Sequence, residues 1–407
     1  MIVRNEYINQ LQAWKDEQVI KVVTGIRRCG KSTLLKQFQD KLLQDGVSRE
    51  QIISINFEDL DFEELLDYKA LYVYIKERLC ADKMTYIFLD EIQKVDSFPK
   101  AVDSLFIKEN TDIYITGSNA CLLSGDLATL LTGRYIEISM HPLSFAEYLE
   151  YSGESGERAL SEYMRTGGFP YLSQMENIPE KVDSYLEGIY NTVVVKDIED
   201  RQTRRNGDPD KRRVTDITLL KTIARYLASV VGSPVSVKGV SDYLVSSGRK
   251  ISPNTVDDYM EALQESFIFY PVERFDIKGK QLLKVNRKWY IVDLGLRNHI
   301  LPRKNYELGF SLENIVYFEL LRRGYKVYVG KDGSNEVDFV AQKQGILKYY
   351  QVTADMTDEN TFNREIRPLQ LIRDNYGKVI LTLDYVTVGD YNGIKVVNLL
   401  DWLVKKG

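Results

Sequence analysis

VIKVVTGIRRCGKSTLLKQF, residues 19–38, leaves the chain little conformational choice. A run rich in β-branched residues gives way to a glycine loop, then to apolar residues at helical spacing, Leu34, Leu35 and Phe38. Gly25, Gly30, Lys31 and Ser32 satisfy G-x-x-x-x-G-K-[ST] in the strand, loop, helix context that the motif requires. The glycines let the backbone curl so that successive N–H groups point inward at phosphate oxygens, and the following helix adds its positive end. Lys31 then reaches the β- and γ-phosphates of ATP, the Ser32 hydroxyl ligates Mg²⁺, and the binding stretch runs from Gly25 to Thr33.

Such a loop needs a second element. TYIFLDEIQKV (85–95) is an apolar strand ending in Asp90 and Glu91. A carboxylate at the C-terminal end of a buried parallel strand lies beside the loop, so Asp90 is expected to hold Mg²⁺ through its water and Glu91 to act as general base. DIYITGSNA (112–120) supplies a third strand end with Thr116, Ser118 and Asn119; Asn119 or Ser118 would position the lytic water.

These residues carry a resemblance. GIRRCGKST, FLDE, TGSN, LTGRYIEI and HPLSFAEYL together resemble a prokaryotic group of AAA-type P-loop ATPases, over most of residues 1–150 and on into the C-terminal region. The resemblance implies an α/β fold. A parallel-sheet ATPase core would carry a helical lid, followed by a winged helix and an α/β restriction-endonuclease-like domain. Arg134, after a small Thr-Gly turn, is then either an arginine finger, in cis or toward a neighbouring subunit, or a structural ion pair. Arg27 and Arg28 either reach the triphosphate or an acidic patch on the lid, or face solvent. Gly168-Phe169-Pro170 matches a lid turn whose proline packs on the nucleotide base in related ATPases; in isolation Pro170 reads as a helix-breaking turn.

Composition narrows the rest. With 407 residues, 44% of them hydrophobic, the chain has room for roughly two to three domains. The expected division is a core over 1–150, a lid and basic linker over 151–212, a winged helix over 213–300 and the restriction-endonuclease-like domain over 301–407. A net charge of −5 excludes a uniformly basic nucleic-acid coat. Three scattered cysteines and two histidines argue against disulfides, a zinc site or a His-based triad. No apolar run of about 18 residues appears, so a soluble cytoplasmic protein with no membrane partner is expected, monomer or homo-oligomer undecided. The candidate partner surfaces for DNA are the linker, with Arg201, Arg204, Arg205, Lys211, Arg212 and Arg213, and the wing, with Lys278, Lys280, Lys284, Arg287 and Lys288. The helix over SPNTVDDYMEALQESF carries Asp257, Asp258, Glu261 and Glu265, which a phosphate-lined groove would repel; it suits a protein partner.

EVDFVAQKQGILKYYQVT (336–353) reads as two strands joined by a turn. In the restriction-endonuclease-like reading Glu313, Asp338 and Gln351 would hold Mg²⁺, with a lysine at position 353. That position is Thr353, Lys348 lies on the other face, and Lys331 would be a lysine migrated from another element. The expected domain is therefore a degenerate scaffold rather than a nuclease.

Overall fold

A computed structural model describes residues 2–118, 131, 133–176, 178–193, 216–301, 308–333 and 335–405, with the side chains of 284 and 285 excepted. Asn119 and the basic linker cluster of Arg201, Arg204, Arg205, Lys211, Arg212 and Arg213 lie outside the described residues, as does the Lys284 side chain. The chain divides into two compact units, Met1–Pro142 with Glu265–Phe267, and Leu143–Gln264 with Ile268–Gly407.

In the first unit α1 (Asn5–Ala13), β1 (Ile20–Thr24), α2 (Lys31–Gln44), β2 (Ile52–Asn56), α3 (Tyr68–Lys76), β3 (Thr85–Asp90), α4 (Phe98–Phe106), β4 (Thr111–Gly117) and β5 (Tyr135–Ser139) build one sheet with its crossovers. Its strand order is β2-β3-β4-β1-β5 and every pairing is parallel. Parallel strands must be joined by crossovers and are covered on both faces, which is why β1 and β3 are buried at every position. Ile20, Val22, Ile87, Leu89, Ile113 and Ile115 form the core of one face. Phe38 of α2, Phe88 and Tyr114 pack on the other, with ring centroids 4.7–6.4 Å apart.

A buried ion pair interrupts this apolar sheet. Lys21 of β1 and Asp112 of β4 are almost fully buried, with Lys21 Nζ 2.5 Å from Asp112 Oδ1. Asp112 also accepts from the Tyr114 hydroxyl at 2.8 Å and from the Asp16 N–H at 2.9 Å, and Lys21 donates to the Glu17 carbonyl at 2.8 Å. The network ties the segment entering β1 to the neighbouring strand. Burial drives Lys21 down and Asp112 up, each toward its neutral form, and their mutual attraction opposes both shifts.

The second unit begins with α5 (Phe145–Ser152), whose start is a capping box: Ser144 Oγ accepts from the Glu147 N–H at 3.1 Å and Glu147 accepts from the Ser144 N–H at 2.8 Å. Next come α6 (Gly156–Thr166), α7 (Pro179–Asn191), α8 (Ile217–Ser229), β6 (Pro234–Val235), α9 (Val237–Ser246), α10 (Pro253–Glu265), β7 (Phe269–Asp276), β8 (Gln281–Ile291) and α11 (Leu294–Ile300). The chain ends with α12 (Leu308–Arg322), β9 (Lys326–Asp332), β10 (Asn335–Lys343), β11 (Ile346–Thr353), α13 (Glu359–Leu371), β12 (Gly377–Thr382), β13 (Gly389–Tyr391), β14 (Ile394–Asn398) and α14 (Leu399–Val404).

One nine-stranded sheet, β13-β14-β12-β11-β10-β9-β7-β8-β6, runs through this unit. The antiparallel β7–β8 hairpin joins the C-terminal strands through three parallel pairs, Arg274 to Asp276 of β7 beside Val329 to Lys331 of β9. Strands β9, β10 and β11 form an antiparallel meander, and α13 carries the chain over to β12, which is parallel to β11. Val337, Val340, Ile366, Leu369, Ile380 and Val396 pack between that helix and the sheet.

Replacing Lys21 by Met leaves the Asp112 carboxylate buried without its counter-charge. A loss of about 3–5 kcal/mol in urea unfolding is expected, with part of it recovered in the Lys21→Met/Asp112→Asn double variant because the stranded charge is then gone.

Candidate active site

The C-terminal ends of β1, β4 and β3 lie side by side, and the phosphate-loop motif starts where β1 stops. Gly25 has φ +144° and Gly30 φ +106°, conformations that side chains resist. A Cβ on Gly25 would also lie 2.0 Å from the Met140 carbonyl oxygen, so the residue must be glycine for steric reasons as well. Arg4 braces the loop from outside. Its guanidinium donates to the Cys29 carbonyl at 3.4 Å and to the His141 carbonyl at 3.2 Å. Burial pushes the Cys29 thiol up, which suits a packing residue and not a nucleophile.

Lys31 opens α2 and is almost completely buried. Its ammonium donates to the carbonyls of Gly25 at 2.9 Å and Ile26 at 3.3 Å and lies 3.8 Å from Glu91 Oε1. Ser32 and Thr33 are exposed on the first turn of the same helix. The Thr116 hydroxyl of β4 joins the two acidic residues at the end of β3: it donates to Asp90 Oδ1 at 2.5 Å and accepts from the Glu91 N–H at 2.9 Å. Glu91 sits at φ +55°, a turn away from the strand that aims its side chain at Lys31. Glu91 Oε2 also accepts from Gln93 Nε2 at 2.5 Å and from Ser118 Oγ at 3.0 Å.

These contacts separate the two carboxylates electrostatically. Burial pushes Asp90 up, and the hydrogen bonds from Thr116 and Ser32 only partly offset it. Glu91 is equally buried, but the Lys31 charge and the Gln93 and Ser118 donors overcome that penalty and hold it below the usual carboxylate range. Glu91 is therefore ionised at neutral pH, the form in which a carboxylate can accept a proton. Asp90 and the Ser32 hydroxyl, hydrogen-bonded to each other, present hard oxygen donors at the loop, a set that fits a divalent cation such as Mg²⁺.

Residues 17–149 match a family described as an AAA domain, and residues 157–307 match a domain of unknown function. An uncharacterized protein of Haemophilus influenzae is 41% identical over 411 residues, spanning 100% of this chain and 99% of its own length. The chain belongs to that protein's family. An uncharacterized protein of Methanocaldococcus jannaschii is 29% identical over 94% of this chain and 88% of its own. Among solved structures, a Walker-type ATPase of Pyrococcus abyssi superposes with a TM-score of 0.51 at 15% identity, over 74% of this chain and 96% of that one, a likeness of fold. The first unit therefore holds most of an AAA domain matched over residues 17–149, with its phosphate-loop motif and acidic strand end at one edge of the parallel sheet.

Within the AAA domain the structure brings Gly25, Gly30, Lys31, Ser32, Asp90 and Glu91 together, and it places the other candidates elsewhere. Arg134 precedes β5, and its carbonyl accepts from the N–H of Ile20, the first residue of β1. That is the opposite end of the sheet from the phosphate loop, about 13 Å away at roughly 3.3 Å per residue along β1. The guanidinium pairs with Asp103 of α4 and lies 5.6 Å from the Phe106 ring, so Arg134 serves as a structural ion pair and not as a finger on its own site. Arg27 pairs with Glu58 at 2.6 Å, an acidic residue of the AAA domain and not of a lid. Arg28 is exposed at φ +68°.

Pro170 belongs to the second unit, where it opens a 3-10 turn over Pro170–Gln174. The preceding glycines are held by Asp293, whose Oδ2 accepts from the Gly168 N–H at 2.6 Å. Arg4, Gln93 and Asp293 were missed in sequence because each acts across a distance of two to 137 residues through contacts that no motif records.

The second unit contains Glu313, Asp338 and Gln351 close to one another. Thr353 is not among them in function: its hydroxyl donates to the Asp355 carbonyl at 3.1 Å. The correction here concerns Lys288, expected on an exposed wing. It is buried, paired with the buried Glu313 and the half-buried Glu336. Among the described residues, no group of three or more His, Cys, Asp or Glu is arranged to hold a metal ion.

Thr116→Val is the substitution that isolates the bridge between Asp90 and Glu91, since shape is kept and both hydrogen bonds are lost. A loss of about 1–3 kcal/mol is expected in denaturant unfolding, together with weaker nucleotide-linked protection against heat in a thermal-shift titration.

Proposed function

We propose that the chain binds ATP with Mg²⁺ at Gly25–Thr33, hydrolyses it, and passes the nucleotide state to its second unit. The observation that carries this reading is Glu91, ionised and buried, beside the Lys31 ammonium at the mouth of a phosphate loop. On binding, Lys31 exchanges the Gly25 and Ile26 carbonyls for phosphate oxygens, and the loop N–H groups and the α2 N-terminus take up the remaining negative charge. Glu91 accepts a proton from the attacking water, with Ser118 within reach to orient it. A bound Mg²⁺, held near Ser32 and Asp90, would neutralise the charge that develops on the transferred phosphoryl group.

The grip on Glu91 favours a second reading. Gln93, Ser118 and Lys31 all engage its carboxylate, so this base is committed before any water arrives. A protein of this kind can act as a nucleotide-dependent switch with little turnover until a partner loosens the contact.

For the second unit, the order α8, β6, α9, α10, β7, β8, with β6 and β7 both paired to β8, supports a winged-helix reading of this segment. The α12, β9, β10, β11, α13, β12 order supports a restriction-endonuclease-like reading of the C-terminal region. The wing carries less free charge than its sequence suggests: Lys278 pairs with Asp332 at 2.9 Å, Arg287 lies 3.8 Å from Glu273, and Lys288 is buried. Asp257 and Glu261 are exposed on α10. A protein partner fits these surfaces better than DNA does. No helix among the described residues is long and apolar enough to cross a membrane.

Lys31→Ala is expected to abolish ATP binding, and equal affinity in wild type and variant would refute the nucleotide site. Glu91→Gln should retain binding and slow turnover by about 10²–10⁴-fold, the range for losing a general base. Single-turnover phosphate release, with and without candidate partners, separates the ATPase from the slow switch.

A further inference from the structure

The AAA domain makes no use of the charged cluster around Lys288. Lys288 Nζ lies 2.9 Å from Glu336 Oε1 and 3.4 Å from Glu313 Oε2, and Asp338 lies within electrostatic reach of both Lys288 and Glu313. The lysine side chain is 5% exposed, and the Glu313 and Asp338 residues are each 8% exposed. A restriction-endonuclease-like reading implies a divalent cation held by Glu313, Asp338 and Gln351. The residues present do not fit one. We infer that the Lys288 ammonium takes the place of that cation, so the cluster is a lysine-closed site that binds no divalent metal.

Three observations carry the inference. The first is that the lysine is anchored by its strand. β8 pairs with β7 at Val272 and with β6 at Pro234 on either side of Lys288. Two residues on, Tyr290 donates to the same Glu313 Oε2 at 3.1 Å, and Asn314 of α12 both accepts from the Ile291 N–H and donates to its carbonyl, each at 2.9 Å.

Second, one oxygen of each side chain that a metal would need already has a partner, Glu313 Oε2 through Tyr290 and Lys288. Asp338 Oδ2 accepts from the Val352 N–H at 2.8 Å. Gln351 Oε1 accepts from the Asp338 N–H at 3.3 Å, and its amide nitrogen donates to Glu365 Oε2 at 3.0 Å. Glu336 Oε2 accepts from Arg274 at 3.3 Å. A hard cation needs several uncommitted oxygens at about 2.0–2.6 Å.

Third, charge leaves no room for both. Buried Glu313 and the partly buried Glu336 both pair with the one ammonium, and a dication placed among the same oxygens would face that ammonium at close range in a poorly screened interior. The consequence is structural: the ion pairs join β8 to α12 and β10, so the β7–β8 hairpin and the C-terminal strands share one fixed framework.

Mn²⁺ binding by the full-length, nucleotide-free chain, followed by electron paramagnetic resonance, tests this without recourse to the ATP site. Wild type and Asp338→Asn should bind Mn²⁺ with the same stoichiometry. Lys288→Met, which keeps the aliphatic stem and drops the charge, should gain one Mn²⁺ per chain, lost again in Lys288→Met/Asp338→Asn; Lys288→Arg should gain none. One ion bound by wild type and lost in Asp338→Asn would overturn the inference, and so would a folded Lys288→Met that gains no ion. If Lys288→Met does not fold, the wild type against Asp338→Asn comparison still decides between the two outcomes.

Discussion

The parallel ladder that sets β1 beside β4 and β4 beside β3 places every group of the nucleotide site. Thr24 lies in register with Gly117, and Leu89 with Ile115, so the loop after β1, the acids at the end of β3 and the hydroxyls at the end of β4 emerge at one edge. A slip by one residue would turn each strand's side chains to the opposite face and move Asp90 or Thr116 out of reach. Apolar strands buried on both faces specify register only through shape. The Lys21–Asp112 pair adds a charged, directional contact between β1 and β4 that only one alignment satisfies. Its energetic worth against a hydrophobic pair is small or negative; its value lies in rejecting the wrong alignment.

Both units place a lysine among carboxylates, with opposite results. Lys31 is held largely by loop carbonyls, which phosphate oxygens can replace, and its neighbours Ser32 and Thr33 face solvent. Its position is stable yet exchangeable. Lys288 is held by carboxylates that are themselves fixed by backbone and side-chain donors, on a strand paired on both sides. Its position has no exchange partner. The same ion-pair chemistry serves a binding site in one unit and a clasp in the other, and the difference is what surrounds it.

Much of the AAA domain was legible in sequence because its chemistry is local. Loop curvature, the lysine and the hydroxyl lie within a few residues of one another, and β3 announces its end by a change from Leu89 to Asp90 and Glu91. Arg134 was harder to place. A Thr-Gly turn before an arginine describes exposure and not direction, and only the parallel pairing of Tyr135 with Ile20 shows that it stands at the far end of the sheet. For Lys288, its place among the basic residues of the hairpin suggested a wing surface. The hairpin instead merges with the C-terminal strands through β7 and β9, and that pairing turns an apparent surface lysine inward.

The sequence by itself determined the phosphate loop between its strand and helix, the acids Asp90 and Glu91, and the absence of a lysine at Thr353. Each of these depends on spacing within one segment, where backbone geometry alone relates the residues. The tertiary structure decided which charges meet: Thr116 bridging Asp90 and Glu91, Arg134 turned to Asp103, and Lys288 enclosed by Glu313 and Glu336. Those pairings depend on long-range register and on burial. Burial makes an unpaired charge too costly to keep, so it fixes the partners that the linear chain leaves open.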